Sequence, residues 1–139
     1  MTAVLDASAL LALLFNEPGA EPVANAIAAG ATVGTVNLAE VATVLVRNDR
    51  ALELLDTVRG QVTVEAFTSE DATAAAVLYP RVASRGLSLG DRACLALADR
   101  LTAPAITAER IWADLALDTT IECIRPTPND KAPGGTEQH

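Results

Sequence analysis

The chain has 139 residues, half of them hydrophobic and only 3% aromatic, which fits one domain with a core of its own. Its formal charge of −8 excludes the simplest nucleic-acid reader, a small domain with a broad basic face, and also a polybasic membrane-surface protein. It leaves open an enzyme whose carboxylates hold a cation, because the ion reverses the local sign. With 28 alanines, helices should dominate.

The elements follow from apolar period and turn residues. Ala3-Val4-Leu5 reads as a buried strand that stops at Asp6. Ser8 to Phe15 reads as a buried helix, Asn16 to Gly19 as a turn, and Ala20 to Ala29 as a helix closed by Gly30. Thr32 to Thr35 is a second strand, followed by helices over Asn37 to Arg47 and Arg50 to Val58. Val62 to Ala66 alternates like a strand, and Ser69 to Ala83 forms a long alanine-rich helix ending near Gly86. Ser88 to Arg100 is a core helix, Pro104 to Ile106 a short strand, Glu109 to Asp114 a turn of helix, and Thr120 to Ile124 an edge strand. Strands alternating with helices predict an α/β fold with a parallel sheet covered on both faces. Residues 126–139 are polar, rich in proline and glycine, and read as a disordered tail after a single domain over 1–125.

No apolar stretch reaches the length of a bilayer span, and Asp6 interrupts the first apolar run where a secretory signal would need to continue. Cys94 and Cys123 stand apart among apolar neighbours and read as core residues. A cytoplasmic protein is the expectation.

Acidic residues carry the chemistry. Asp6 follows a buried strand, where an open α/β sheet binds its ligands; the same position also suits an N-cap. Glu40, three residues after Asn37, and Asp91, three after Ser88, both fit capping boxes. Capping and ligand binding are compatible, since each places an acid in the first turn of a helix leaving the carboxyl edge of the sheet. Glu109, and Asp114 five residues on, follow the Pro104 to Ile106 strand to that edge. Gathered acids repel one another, and a divalent cation relieves the repulsion. Oxygen donors suit Mg²⁺ or Mn²⁺. The only histidine is His139 in the tail, which disfavours a zinc site and a Ser-His-Asp triad. No phosphate-cradling glycine loop follows the first strand. Metal-assisted hydrolysis of a phosphodiester fits this donor set.

Four segments carry a family resemblance: Val-Leu-Asp6-Ala-Ser8, Asn-Leu-Ala-Glu40-Val, Leu-Ser-Leu-Gly-Asp91-Arg-Ala-Cys, and Thr107-Ala-Glu109-Arg-Ile-Trp. In order and spacing they are similar to PIN-domain ribonucleases, most closely the VapC toxins of bacterial toxin–antitoxin pairs. The resemblance spans about residues 1–125. It implies a PIN-like α/β sandwich with a central parallel sheet of four to five short strands flanked by helices. It implies Mg²⁺- or Mn²⁺-dependent endonucleolytic cleavage of RNA, with structured RNA such as tRNA or rRNA as substrate. Its implied partners are a cognate VapB-type antitoxin and a second copy of the chain, with DNA contacted only through the antitoxin. Asp6, Glu40 and Asp91 match the family's first three acids, and Ser8 its small hydroxyl residue. The fourth position, usually aspartate, is Glu109 here; Asp114 is a second candidate for that metal-ligating task. Thr107 is placed to hydrogen-bond a site carboxylate.

Other readings stand beside these. Arg92 and Arg110 suit either RNA phosphates or surface ion pairs, and Trp112 either a stacked base or the core. The segments Leu10 to Ala29 and Asn37 to Leu55 suit either a groove for an amphipathic antitoxin helix or the core itself. A PIN fold that binds without cleaving is the alternative function. A phosphoacceptor or phosphatase site is disfavoured, because Ser8 stands where a second acid would be needed.

Overall fold

The computed structural model describes residues 2–125; the expected tail at 126–139 lies outside the described residues. Five strands form one sheet: β1 Ala3–Leu5, β2 Ala31–Gly34, β3 Thr63–Glu65, β4 Ala105–Thr107 and β5 Ile121–Cys123. Their order is β3-β2-β1-β4-β5. Every pairing is parallel, and parallel neighbours need crossovers. The helices supply most of them: α1 Ala7–Leu14, α2 Ala20–Ala28, α3 Thr35–Arg47, α4 Leu54–Arg59, α5 Ser69–Val82 and α6 Leu89–Leu101. Short 3₁₀ turns at Ala83–Arg85 and Arg110–Asp114 complete the elements of the described residues. The expected fold class is thus what forms, with five strands.

Alternation along the short strands sorts the core to two faces. Leu5 and Ile106 turn to one side, with Leu10 of α1, Val23 of α2, Val41 and Leu45 of α3, and Leu55 of α4. Val4 and Ala105 turn to the other, with Val82 of α5, Cys94, Leu95 and Ala98 of α6, and Trp112. Leu10, Val41 and Leu45 are fully buried, so the faces of α1 and α3 weighed as a groove are in large part core. Among the described residues no helix is long and apolar enough to cross a membrane.

Two helix starts differ from the sequence expectation. Gly34 is extended and passes straight into α3 as its N-cap, with no side-chain cap. The helix therefore begins two residues before Asn37, which lies inside its first turn rather than at its cap. The helix expected from Arg50 begins only at Leu54, because Asp49 adopts a left-handed conformation (φ 53°) and the chain turns before winding up. The caps expected at Asp6 and Ser88 form: Asp6 accepts from the Ala9 N–H, and Ser88 with Asp91 makes a reciprocal capping box. Thr68 and Asp71 do the same at α5.

The strand order reverses direction at β1. The chain steps from β1 outward to β2 and β3, then returns to β4 on β1's other side. A crevice therefore opens beyond the carboxyl ends of β1 and β4, the place where open α/β sheets bind ligands.

Candidate metal centre

Asp6 is the first residue after β1, and its N–H donates to the Ile106 carbonyl of β4 at 3.0 Å, which extends the ladder to the sheet edge. The side chain is 2% exposed. Its Oδ1 accepts from Ser8 Oγ and from the Ala9 N–H, both at 2.8 Å. Oδ2 lies 2.9 Å from Ser8 Oγ and accepts from Thr107 Oγ1 at 2.6 Å. Thr107, fully buried at the end of β4, accepts in turn from the Glu109 N–H at 2.9 Å. Ser8 Oγ accepts from the Ala108 N–H at 2.9 Å. One hydroxyl on each side of the β1–β4 seam thus ties the Asp6 carboxylate to the loop that carries Glu109.

A cleft of about 230 Å³ opens over this carboxylate and is lined by Asp6, Ser8, Glu40, Asp91 and Glu109, with Leu11 and Val44 on its apolar wall. Four of the five predicted acids are therefore brought together from four distant segments. Asp114 is not among the lining residues; it is exposed and pairs with Arg85 at 2.9 Å. Glu109 therefore lies in the cleft with the other three acids, and Asp114 lies outside it. A 3₁₀ turn begins directly after Glu109 and turns Asp114 toward the end of α5.

Electrostatics mark the same place. Burial pushes the Asp6 carboxyl up to about 6; the hydrogen bonds from Thr107, Ala9 and Ser8 pull it down, and the Asp91 charge adds to the rise. Partial burial also raises Glu40, against a lowering hydrogen bond from Asn37, and Asp91 again adds to the rise. Cys94, one turn beyond Asp91 on α6, is completely buried and its thiol is pushed well up, first by burial and then by the three nearby acids. It is held neutral as a core residue. Both cysteines are free.

The donor set fits a hard divalent ion: the polar groups in the cleft are oxygens, with no imidazole or thiolate among them. Among the described residues no three Asp, Glu, His or Cys side chains already close around one point.

Two residues that the sequence did not mark as part of the site complete the arrangement. Asn37 Nδ2 donates to Glu40 Oε1 at 2.8 Å and to the Gly90 carbonyl at 3.1 Å. Gly90 itself lies beneath the Glu40 carboxylate. Asn37 was legible only as a cap, because the helix start two residues earlier could not be read from its spacing. Arg92 is turned away toward α5, donating to the Ala75 carbonyl at 3.0 Å and lying over the Tyr79 ring at 5.3 Å. Arg110 is exposed beside Glu109. Trp112 is fully buried, which rules out the base-stacking reading and leaves the core reading.

Comparison with known proteins agrees with this architecture. The family model of the PIN domain matches residues 3–117. No curated protein matched the chain. Among solved structures, a toxin–antitoxin complex from Klebsiella pneumoniae superposes with a TM-score of 0.70 at 16% identity, covering 90% of this chain and 99% of that one. VapBC2 from Rickettsia felis, bound to a DNA fragment from its promoter, gives 0.68 at 14% identity over 88% and 98% of the two chains. VapBC-5 from Mycobacterium tuberculosis gives 0.58 at 24% identity over 90% and 98%. At these identities the structures speak for the fold, while the family match runs through the strands and helices that build the acidic cleft. The chain belongs to the PIN-domain family.

Proposed function

We propose that this protein is a Mg²⁺- or Mn²⁺-dependent endoribonuclease, the toxin of a VapBC-type toxin–antitoxin pair, acting in the cytoplasm on structured RNA such as tRNA or rRNA. The observation that carries the reading is the cleft at the β1–β4 edge, where buried Asp6 faces Glu40, Asp91 and Glu109. Such a cluster of acids, left uncompensated, opposes folding, so its presence is best accounted for by a bound cation. The similar solved structures are toxin–antitoxin complexes, one of them bound to promoter DNA, which supports a VapB-type antitoxin as partner; a homodimer and DNA contact only through the antitoxin are what the family resemblance implies.

Asp6, Glu40 and Asp91 would hold the ion, with Glu109 reaching in from the exposed rim. A bound divalent ion supplies an activated water and stabilises the charge gained on phosphate oxygens. The chain's own contribution is placement. Ser8, Thr107 and the Ala9 N–H fix the Asp6 carboxylate in one orientation, so it does not reorganise when substrate arrives. The Asp91 Oδ2 is held by the Ser88 N–H at 2.9 Å, which fixes that acid to the first turn of α6. With the four cleft acids set aside the chain still carries a net negative charge, so RNA affinity should be modest and sensitive to salt. Recognition then rests on RNA shape and on exposed single-stranded loops.

Purified protein should cleave RNA in the presence of Mg²⁺ or Mn²⁺, stop on chelation, and lose cleavage in Asp6→Asn. Growth arrest on induction should be relieved by co-expression of the cognate antitoxin. Normal cleavage by Asp6→Asn would overturn the site. Arrest that survives Asp6→Asn combined with Asp91→Asn would shift the reading to a PIN fold that acts by binding alone.

A further inference from the structure

We propose that Asn37 and Gly90 are positioning residues that seat the Glu40 carboxylate beside Asp91, an inference that rests on the metal-dependent reading above. Glu40 lies on α3 and Asp91 on α6, and like charges would drive the two apart. The structure shows two features that hold them together.

The first is a buried donor. Asn37 is 1% exposed, and burying an amide is unfavourable unless it is hydrogen-bonded. Both protons of its Nδ2 have partners at this seat: Glu40 Oε1 at 2.8 Å and the Gly90 carbonyl at 3.1 Å. One side chain therefore grips the acid and the backbone it rests on. An apolar residue would fill the same space but leave the Gly90 carbonyl and the carboxylate without this donor.

The second is missing volume. Gly90 sits in the first turn of α6, one residue before Asp91, where any good helix former would serve. Its backbone does not adopt a left-handed conformation, so glycine is not needed for geometry. It is needed for space. A Cβ placed there would stand 2.6 Å from Glu40 Oε1 and would overlap Oε2 and Cδ more severely. The Glu40 carboxylate occupies the place of the absent methyl group. Since a carboxylate is the free end of a flexible side chain, adding that methyl should displace Glu40 and leave the helix intact.

The test measures Mn²⁺ binding by calorimetry or electron paramagnetic resonance, alongside thermal unfolding. It compares the wild type, Gly90→Ala, Asn37→Ala, Glu40→Asp and Gly90→Ala combined with Glu40→Asp. Gly90→Ala is expected to keep or raise Tm, because alanine is the better helix former, and yet to lose about tenfold or more in Mn²⁺ affinity. Asn37→Ala should lose affinity in the same direction. In the Glu40→Asp background the shorter acid no longer lies over residue 90, so the added methyl should change affinity by less than about twofold. A Gly90→Ala protein that binds Mn²⁺ like the wild type overturns the proposal, as does an equal loss in both backgrounds. A Tm that falls together with affinity in Gly90→Ala assigns the residue to packing and overturns it too. Wild type that binds no Mn²⁺ overturns the metal reading itself, and this inference with it.

Discussion

Thr107 Oγ1 donates to Asp6 Oδ2 at 2.6 Å, joining the ends of two adjacent strands from residues 101 apart in the chain. The contact exists because β1 and β4 are neighbours with Leu5 opposite Ile106, so the next residue on each strand faces the same edge. Thr107→Val removes the hydroxyl and leaves the Glu109 N–H without its acceptor. The expected loss is about 1–3 kcal/mol of stability by urea unfolding, together with reduced cleavage. Thr107→Ser should restore cleavage, since it keeps the hydroxyl. If Thr107→Val unfolded and cleaved like the wild type, the hydroxyl would have no part in holding Asp6.

Asp6 should make stability depend on pH in an unusual direction. Its carboxyl rises from 3.8 to about 6 on folding, chiefly by burial, so the folded state holds the proton more tightly than the unfolded chain. Stability from this group is present below pH 4 and is lost as pH climbs through about 6. Without divalent ions, Asp6→Asn should be more stable than the wild type at pH 7, by up to about 3 kcal/mol, with the gap closing toward pH 4. Added Mg²⁺ should raise the wild-type Tm and leave that of Asp6→Asn nearly unchanged. A mutant less stable than the wild type at pH 7 in chelator would contradict the desolvation argument.

Asp71 should act in the opposite sense. Its carboxylate accepts from Arg100 Nε at 2.9 Å and from the Thr68 N–H at 3.0 Å, and is held below its ordinary range, first by Arg100. Its contribution is present above pH 4 and falls away as acid protonates it. Asp71→Ala breaks a capping box and leaves half-exposed Arg100 without this partner, for an expected loss of about 2 kcal/mol at pH 7. The loss should shrink at pH 3, as followed by circular dichroism melts. A constant difference across that range would exclude the ion pair as its source.

Trp112 is the only tryptophan and is fully buried, so its emission should be blue-shifted in the native state and move to the red on unfolding. Trp112→Ala should cost about 3–5 kcal/mol through the cavity it leaves. Trp112→Phe should cost much less, partly because it also removes a buried indole N–H that has no hydrogen-bond partner among the described residues. Native emission quenched by added single-stranded RNA would revive the stacking role that burial rules out.

The sequence by itself determined the class of the molecule and singled out the four acids that line one cleft. Short apolar runs punctuated by Asp6, Gly30 and Gly86 marked alternating strands and helices, and local periodicity is enough for that. The caps at Asp6 and Ser88 were legible because a capping bond closes within three residues. The −8 charge argued at first against a nucleic-acid protein; with four acids gathered in one cleft, part of that charge gains a local purpose.

Only the tertiary structure decided which residues share the site and how they are held. The choice of Glu109 over Asp114 depends on a 3₁₀ turn that sends one acid to the cleft and the other to Arg85. The Thr107–Asp6 bond depends on strand order, which no local pattern encodes. Asn37 looked like a cap and is instead the donor that grips Glu40, because β2 runs into α3 two residues early. Gly90 carries no local signal of its surroundings and is the space the Glu40 carboxylate fills. The Thr107–Asp6, Asn37–Gly90 and Gly90–Glu40 contacts join segments far apart in the chain, and their geometry is set by the pairing of β1 and β4 or by the packing of α3 and α6.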